Sequence, residues 1–135
     1  MDELIGKIVT KISVADQGTE YPEGVLIFET DSGKMHYVTD ADCCSETWFA
    51  DITGVDALLG VVVKDAVRID LDEPKDGRTR QEEDQAYGVK ITTERGVCDI
   101  VYRNSSNGYY GGGCSLAVDY NGATNVREIT DDWSA

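Results

Sequence analysis

Basic residues are scarce in this chain, with 12 Lys and Arg standing against 26 Asp and Glu for a formal net charge of −14. A field of that sign repels nucleic acid and favours basic partners, so no direct nucleic-acid contact is expected. The shortage is also local: positions 35 to 63 hold Asp40, Asp42, Glu46, Asp51 and Asp56 but no Lys or Arg. Acidity of this kind also serves plain solubility. Long apolar runs are missing, and nothing approaches the roughly 20 residues of a membrane span. The first residues, Met1 to Lys7, lack the basic region and apolar run of a secretory signal. A cytoplasmic protein with no membrane partner is therefore expected.

Metal and catalytic signatures are missing too. The potential soft ligands are Cys43, Cys44, Cys98, Cys114 and the single histidine, His36. Structural zinc sites space their cysteines two to four residues apart, whereas neighbours in an extended chain point to opposite faces. Asp70 to Gly77 supplies oxygens without the spacing of a calcium loop. No metal and no cofactor are expected, and the cysteines read as reduced, buried thiols. Cys43 or Cys44 would need His36 beside it to act as a nucleophile, and the surrounding carboxylates would raise a thiol pKa rather than lower it. No catalytic residue is assigned.

What is present is a two-residue period. Ile8, Thr10, Ile12 and Val14 alternate with Lys7 and Lys11 over Leu4 to Val14. Gly24 to Thr30 and Met35 to Val38 repeat the pattern around Asp31-Ser32-Gly33-Lys34, a hairpin. Thr47 to Ile52 suits a strand, Gly54 to Gly60 one helical turn, and Val61 to Leu71 a long strand buried on both faces at its start. Residues 73 to 84, with eight charged side chains, read as a mobile loop. Ala86 to Thr93 and Val97 to Arg103 form a second hairpin about Glu94-Arg95-Gly96. Cys114 to Tyr120 closes a list of about seven strands. The expected fold is a mainly β protein, an antiparallel sheet forming a small barrel or sandwich with at most one or two short helical turns. Residues 1–120 read as one β-rich domain and 121–135 as a partly ordered tail from which Trp133 can tuck back.

The segment with the most recognition chemistry is Arg103 to Gly113. Tyr109 and Tyr110 offer flat rings for stacking, Asn104, Ser105, Ser106 and Asn107 offer hydrogen bonds, and Arg103 offers a phosphate partner. Gly111 to Gly113 let backbone approach a ligand closely. With Trp48 these residues make a candidate ligand site, placed on the connection between the last two core strands. The alternative is a hairpin turn at Asn107-Gly108 with one tyrosine in the core. Asp40, Asp42, Glu46 and Asp51 make a candidate acidic interaction face.

Asp42-Cys43-Cys44, Trp48 to Gly54 with Leu58-Leu59-Gly60, and Ser105-Ser106-Asn107-Gly108-Tyr109-Tyr110 together resemble a family of small phage and prophage proteins classed as a domain of unknown function. The resemblance spans Leu4 to Tyr120, with Gly111 to Gly113 inserted before the last strand. It implies a viral or prophage origin, an accessory role in a bacterial host cell, and no catalytic residues. Two functions fit. One is a non-enzymatic binding module that sequesters a small ligand of host defence, nucleotide-like in character. The other is an acidic inhibitor that imitates nucleic acid and blocks a basic host protein. Self-association is open.

Overall fold

The computed structural model describes residues 1–41, 44–107 and 112–135. Among these residues there are ten strands: β1 Val9–Gln17, β2 Tyr21–Thr30, β3 Gly33–Ala41, β4 Glu46–Thr53, β5 Asp65–Asp70, β6 Glu83–Thr93, β7 Gly96–Ser106, β8 Gly112–Ala117, β9 Ala123–Ile129 and β10 Trp133–Ser134. They pair antiparallel into two five-stranded sheets, ordered β8-β3-β2-β1-β9 and β10-β4-β7-β6-β5. The sheets do not close on one another, so the choice between barrel and sandwich falls to a sandwich. Among the described residues, helical structure amounts to a 3-10 turn at Asp2–Leu4 and one turn at Val55–Leu58. Among the described residues no helix is long and apolar enough to cross a membrane.

The alternation read from the sequence is what builds the core. Leu26, Phe28 and Tyr37 face inward from the first sheet and Phe49, Ile100 and Tyr102 from the second, all within 2% of complete burial. Phe28 meets Tyr37 edge-on with centroids 5.7 Å apart, and Tyr102 stacks on Tyr87 at 5.1 Å. Truncating any of these rings removes a side chain whose loss costs about 3–5 kcal/mol in a packed core. The first hairpin turns on Asp31-Ser32. Gly33 adopts φ 114° there, and Thr30 Oγ1 donates to the Gly33 carbonyl at 2.8 Å. The second hairpin turns on Glu94-Arg95, with Thr93 opposite Gly96.

Several local expectations are corrected. β1 begins at Val9, and a bulge between Val9 and Lys11 turns Val9 inward and leaves Thr10 exposed. Val61 to Val63 is not the start of a long strand. Val62 makes an isolated bridge to Ile8 and stays 46% exposed, while Val61 and Val63 are buried. Side chains on alternating sides of an irregular segment produced the apolar run. Residues after Asn121, read as a partly ordered tail, supply β9, which pairs with β1, and β10, in which Trp133 pairs with Ile52. β7 and β8 belong to different sheets, so these two strands do not pair as a hairpin.

Candidate functional site

Because Phe49, Tyr102 and Tyr87 point into the core, their neighbours Trp48, Arg103 and Ala86 point out of the second sheet. Trp48 lies opposite Arg103 across β4 and β7, and Ala86 opposite Arg103 across β6 and β7. That outer face is roofed by residues 71–82, the strap between β5 and β6. The expectation of a mobile charged loop here is replaced by a set of anchors. Arg103 Nη1 donates to Asp76 Oδ1 at 3.0 Å and to Asp84 Oδ2 at 3.2 Å, and its Nη2 bonds the other Asp76 oxygen. Arg78 forks onto Asp51 at 2.9 and 3.3 Å. Arg80 reaches Glu46 at 2.7 Å and Glu23 of the first sheet at 3.3 Å, with its guanidinium carbon 4.0 Å from the Trp48 ring centre.

The electrostatic consequences follow from these contacts. The hydrogen bond from Arg103 holds the Asp76 carboxyl well below the usual carboxylate range. Asp84 is buried with Arg103, and it also accepts from Ser105 Oγ and from Thr79 Oγ1. Arg103 Nε, itself buried, has no partner among the described residues. The Arg103 charge is thus spent inside the protein on two carboxylates, which leaves no open cation for a phosphate.

On the inner face of the same strands, one residue along, Asn104 Nδ2 donates to Thr47 Oγ1 at 2.9 Å. Asn104 is fully buried and its Oδ1 has no partner among the described residues. Gly112 presses against this pair, since a Cβ there would overlap Thr47 Oγ1 and come within 2.6 Å of Asn104 Nδ2. Thr47 is also the inner wall of a polar cavity of about 310 Å³ at this end of the sandwich, lined by Gln17, Tyr21, Thr39, Asp40, Ala41, Ser45 and Thr47. Among the described residues its lining carries hydroxyls, one amide and one carboxylate, and no cation. Tyr21 is 44% exposed, so its ring is open to a ligand. Ala41 pairs with Gly112 at the cavity rim.

The predicted site residues therefore separate. Arg103, Ser105 and Trp48 lie buried under the strap, Asn104 sits behind the cavity wall, Ser106 is buried at the end of β7, and Asn107 is exposed just beyond it. Tyr109, Tyr110 and Asp42 lie outside the described residues. Of the candidate acidic face, Glu46 and Asp51 are tied to Arg80 and Arg78, while Asp40 is exposed at the cavity. Gln17, Tyr21, Thr39 and Ser45 were not anticipated. They come from three separate chain segments, and only register brings them together.

The thiols divide as well. Burial pushes Cys98 up to about 12 and Cys114 up to about 11, so neither is a nucleophile at neutral pH. Cys44 is exposed, contrary to the expectation of burial, and Cys43 lies outside the described residues. His36 faces out of the first sheet beside Tyr120, with ring centres 5.8 Å apart. It stands five residues before the end of β3, roughly 16 Å along the strand. Among the described residues, no three His, Cys, Asp or Glu side chains gather in a metal-holding group.

Residues 2–116 match the family described as domain of unknown function DUF7448, and the chain belongs to that family. It is similar to uncharacterized protein L278 of Acanthamoeba polyphaga mimivirus, with 29% identity over 109 residues covering 78% of this chain and 85% of the relative. No solved structure matches.

Proposed function

With the chain placed in a family of unknown function, we propose that it is a non-enzymatic binding module that captures a small, hydrogen-bonding organic molecule in the end cavity. The observation that carries this reading is the cavity itself: about 310 Å³, walled by Gln17, Tyr21, Thr39, Asp40, Ser45 and Thr47. That volume is at the low end for small-ligand sites, and converging polar groups beside one open aromatic ring are what such sites use. Among the described lining residues, Asp40 supplies the only charge. The ligand is therefore neutral or cationic, and within nucleotide-like chemistry the nucleobase or nucleoside part fits better than the phosphates. Sequestration of a host-defence molecule in the cytoplasm of a bacterial host, by a protein of phage or prophage origin, belongs to the same proposal. A viral relative supports the viral part of that proposal alone.

The test is a panel of nucleosides, nucleotides and polyamines followed by thermal shift and titration calorimetry. A ligand at a hundred times its Kd stabilises the fold by about 2.7 kcal/mol. Thr47→Val and Asp40→Asn should each weaken a bound member at least about tenfold. No stabilisation by any member, together with no small molecule co-purifying from infected cells, would sink the reading.

The alternative, an acidic inhibitor that imitates nucleic acid, draws on the net charge of −14. Its proposed face is weakened as a mimic by Arg78 and Arg80, which neutralise Asp51 and Glu46. Capture of a basic host protein that dissociates steeply with salt would favour it over the cavity.

A further inference from the structure

The two sheets leave four strands at their edges, and these differ in how well they are protected. β10 has two residues. β8 opens on Gly112 and Gly113, the former packed against Thr47 and Asn104. β9 is interrupted by Asn125 at φ 50°, and its register with β1 slips between Val14 and Asp16. Such interruptions blunt an edge against pairing with another chain. β5 has no such interruption. It pairs with β6 through six consecutive partners, from Asp65 opposite Thr92 to Asp70 opposite Tyr87.

β5 is also where apolar surface collects. Val67, Ile69 and the following Leu71 are 47%, 36% and 38% exposed, three of the eight large hydrophobic side chains that are exposed anywhere among the described residues. They share one face by strand alternation, and Arg68 and Asp70 share the other. Arg68 lies over the Tyr87 ring, 5.3 Å from its centre. Glycine at position 88 makes room for this row, because a Cβ there would sit 2.8 Å from the Ile69 side chain.

We propose that the chain forms a two-fold dimer through the free edge of β5, antiparallel and with the axis at Ile69. In an antiparallel pair, directly opposed residues lie on the same face. With Ile69 opposite its own copy, Val67 meets Leu71 of the second copy on the apolar face, and Arg68 meets Asp70 on the other. The Arg68–Asp70 ion pair is made twice by symmetry. The neighbouring registers lack this fit. An axis at Arg68 sets two guanidiniums against each other, and an axis at Val67 sets Asp65 against Ile69. Edge charges ordinarily repel a second strand; opposite charges two residues apart attract an inverted copy. The two second sheets then run on as one ten-stranded sheet. Five residues a side is a small contact, so the association is of micromolar strength.

The experiment uses the full chain. Sedimentation velocity over a micromolar concentration series should show a species of twice the chain mass. Arg68→Asp and Asp70→Arg should each weaken it at least about tenfold, because each replaces two attractive cross-strand pairs by two repulsive ones. The double variant R68D/D70R restores complementarity and should recover the dimer to within about threefold of the wild type. Independently, Ile69→Cys in a Cys44→Ser background should cross-link to its own copy on mild oxidation, since directly opposed strand residues lie within disulfide reach. Val126→Cys on β9 in the same background should not. Circular dichroism confirms that each variant is folded. A wild type that stays monomeric throughout overturns the proposal. So does a dimer that survives both single charge reversals, or one that cross-links equally through position 126.

Discussion

Each sheet is crossed on its outer face by one irregular segment, and the two crossings are held by opposite physics. Over the second sheet the strap at 71–82 is fixed by Arg78, Arg80 and Arg103, with carboxylates at Asp51, Asp76, Asp84, Glu46 and Glu23. Over the first, residues 118–122 pass from β8 at one edge to β9 at the other. They are held by Tyr120, which packs against the cluster of Ala15, Val25 and Ile27. Gly122 lies under the Tyr120 ring, and its carbonyl accepts from the Gly18 amide at 2.9 Å. The ionic crossing answers to pH and salt. The apolar one answers to the volume of a side chain.

The largest effect should come from Arg103→Met. It leaves the Asp84 carboxylate, 3% exposed as a side chain, without its cation, and breaking one half of a buried pair costs about 3–5 kcal/mol. Urea denaturation measures the loss. Replacing Asp84 by Leu in the same chain should return most of it, whereas two changes that simply add would mean that the pair is not coupled. Next in size is Tyr120→Ala, which removes a half-buried ring from the apolar crossing at about 1–2 kcal/mol. That loss should be the same in low and high salt. A strong salt dependence would erase the distinction between the two crossings.

Arg80→Ala should cost about 1 kcal/mol, from the lost contact with the Trp48 ring and two partly exposed ion pairs. It should also shift Trp48 fluorescence to the red in a Trp133→Phe background. The smallest effect is acid release of the strap. The Asp76 carboxyl is held below its ordinary 3.8 by Arg103. A depressed carboxylate contributes stability that is fully present above its unfolded pKa and is lost as pH falls toward the folded one. Pepsin cleavage between residues 71 and 82 should therefore rise below about pH 4, while 118–122 stays resistant. Equal cleavage of both segments would contradict the ionic account.

The fold was legible wherever period two was strong. Both hairpins and the mainly β class could be read because burial on one face writes itself into alternate positions, as it does at Leu26 and Phe28. The strap was not legible. A run of charges looks the same whether it is solvated or paired, and its partners Asp51, Glu46 and Arg103 are distant in sequence. β9 escaped notice for a related reason: Thr124, Asn125 and Glu128 are exposed on an edge strand, so only Ile129 carries the core signal. At the candidate site, Arg103, Ser105 and Trp48 stood out by residue type, but type cannot tell an outward binding arginine from one folded under a strap. The end cavity left no local signature, since Gln17, Thr39 and Ser45 meet only through the pairing of strands.

The place of β9 has a kinetic consequence. The strand that flanks β1 comes from near the other end of the chain, with Ile12 opposite Ile129, and β4 likewise waits for β7 and β10. Outside the hairpins β1–β2, β2–β3 and β6–β7, most pairings close a long loop before they gain any burial, which puts the domain among slow, milliseconds-to-seconds folders. During synthesis β1 is made early and then stands with one side open until β9 leaves the ribosome. In that interval Val9, Ile12 and Val14 are the stretch that a chaperone, or another nascent chain, would meet first.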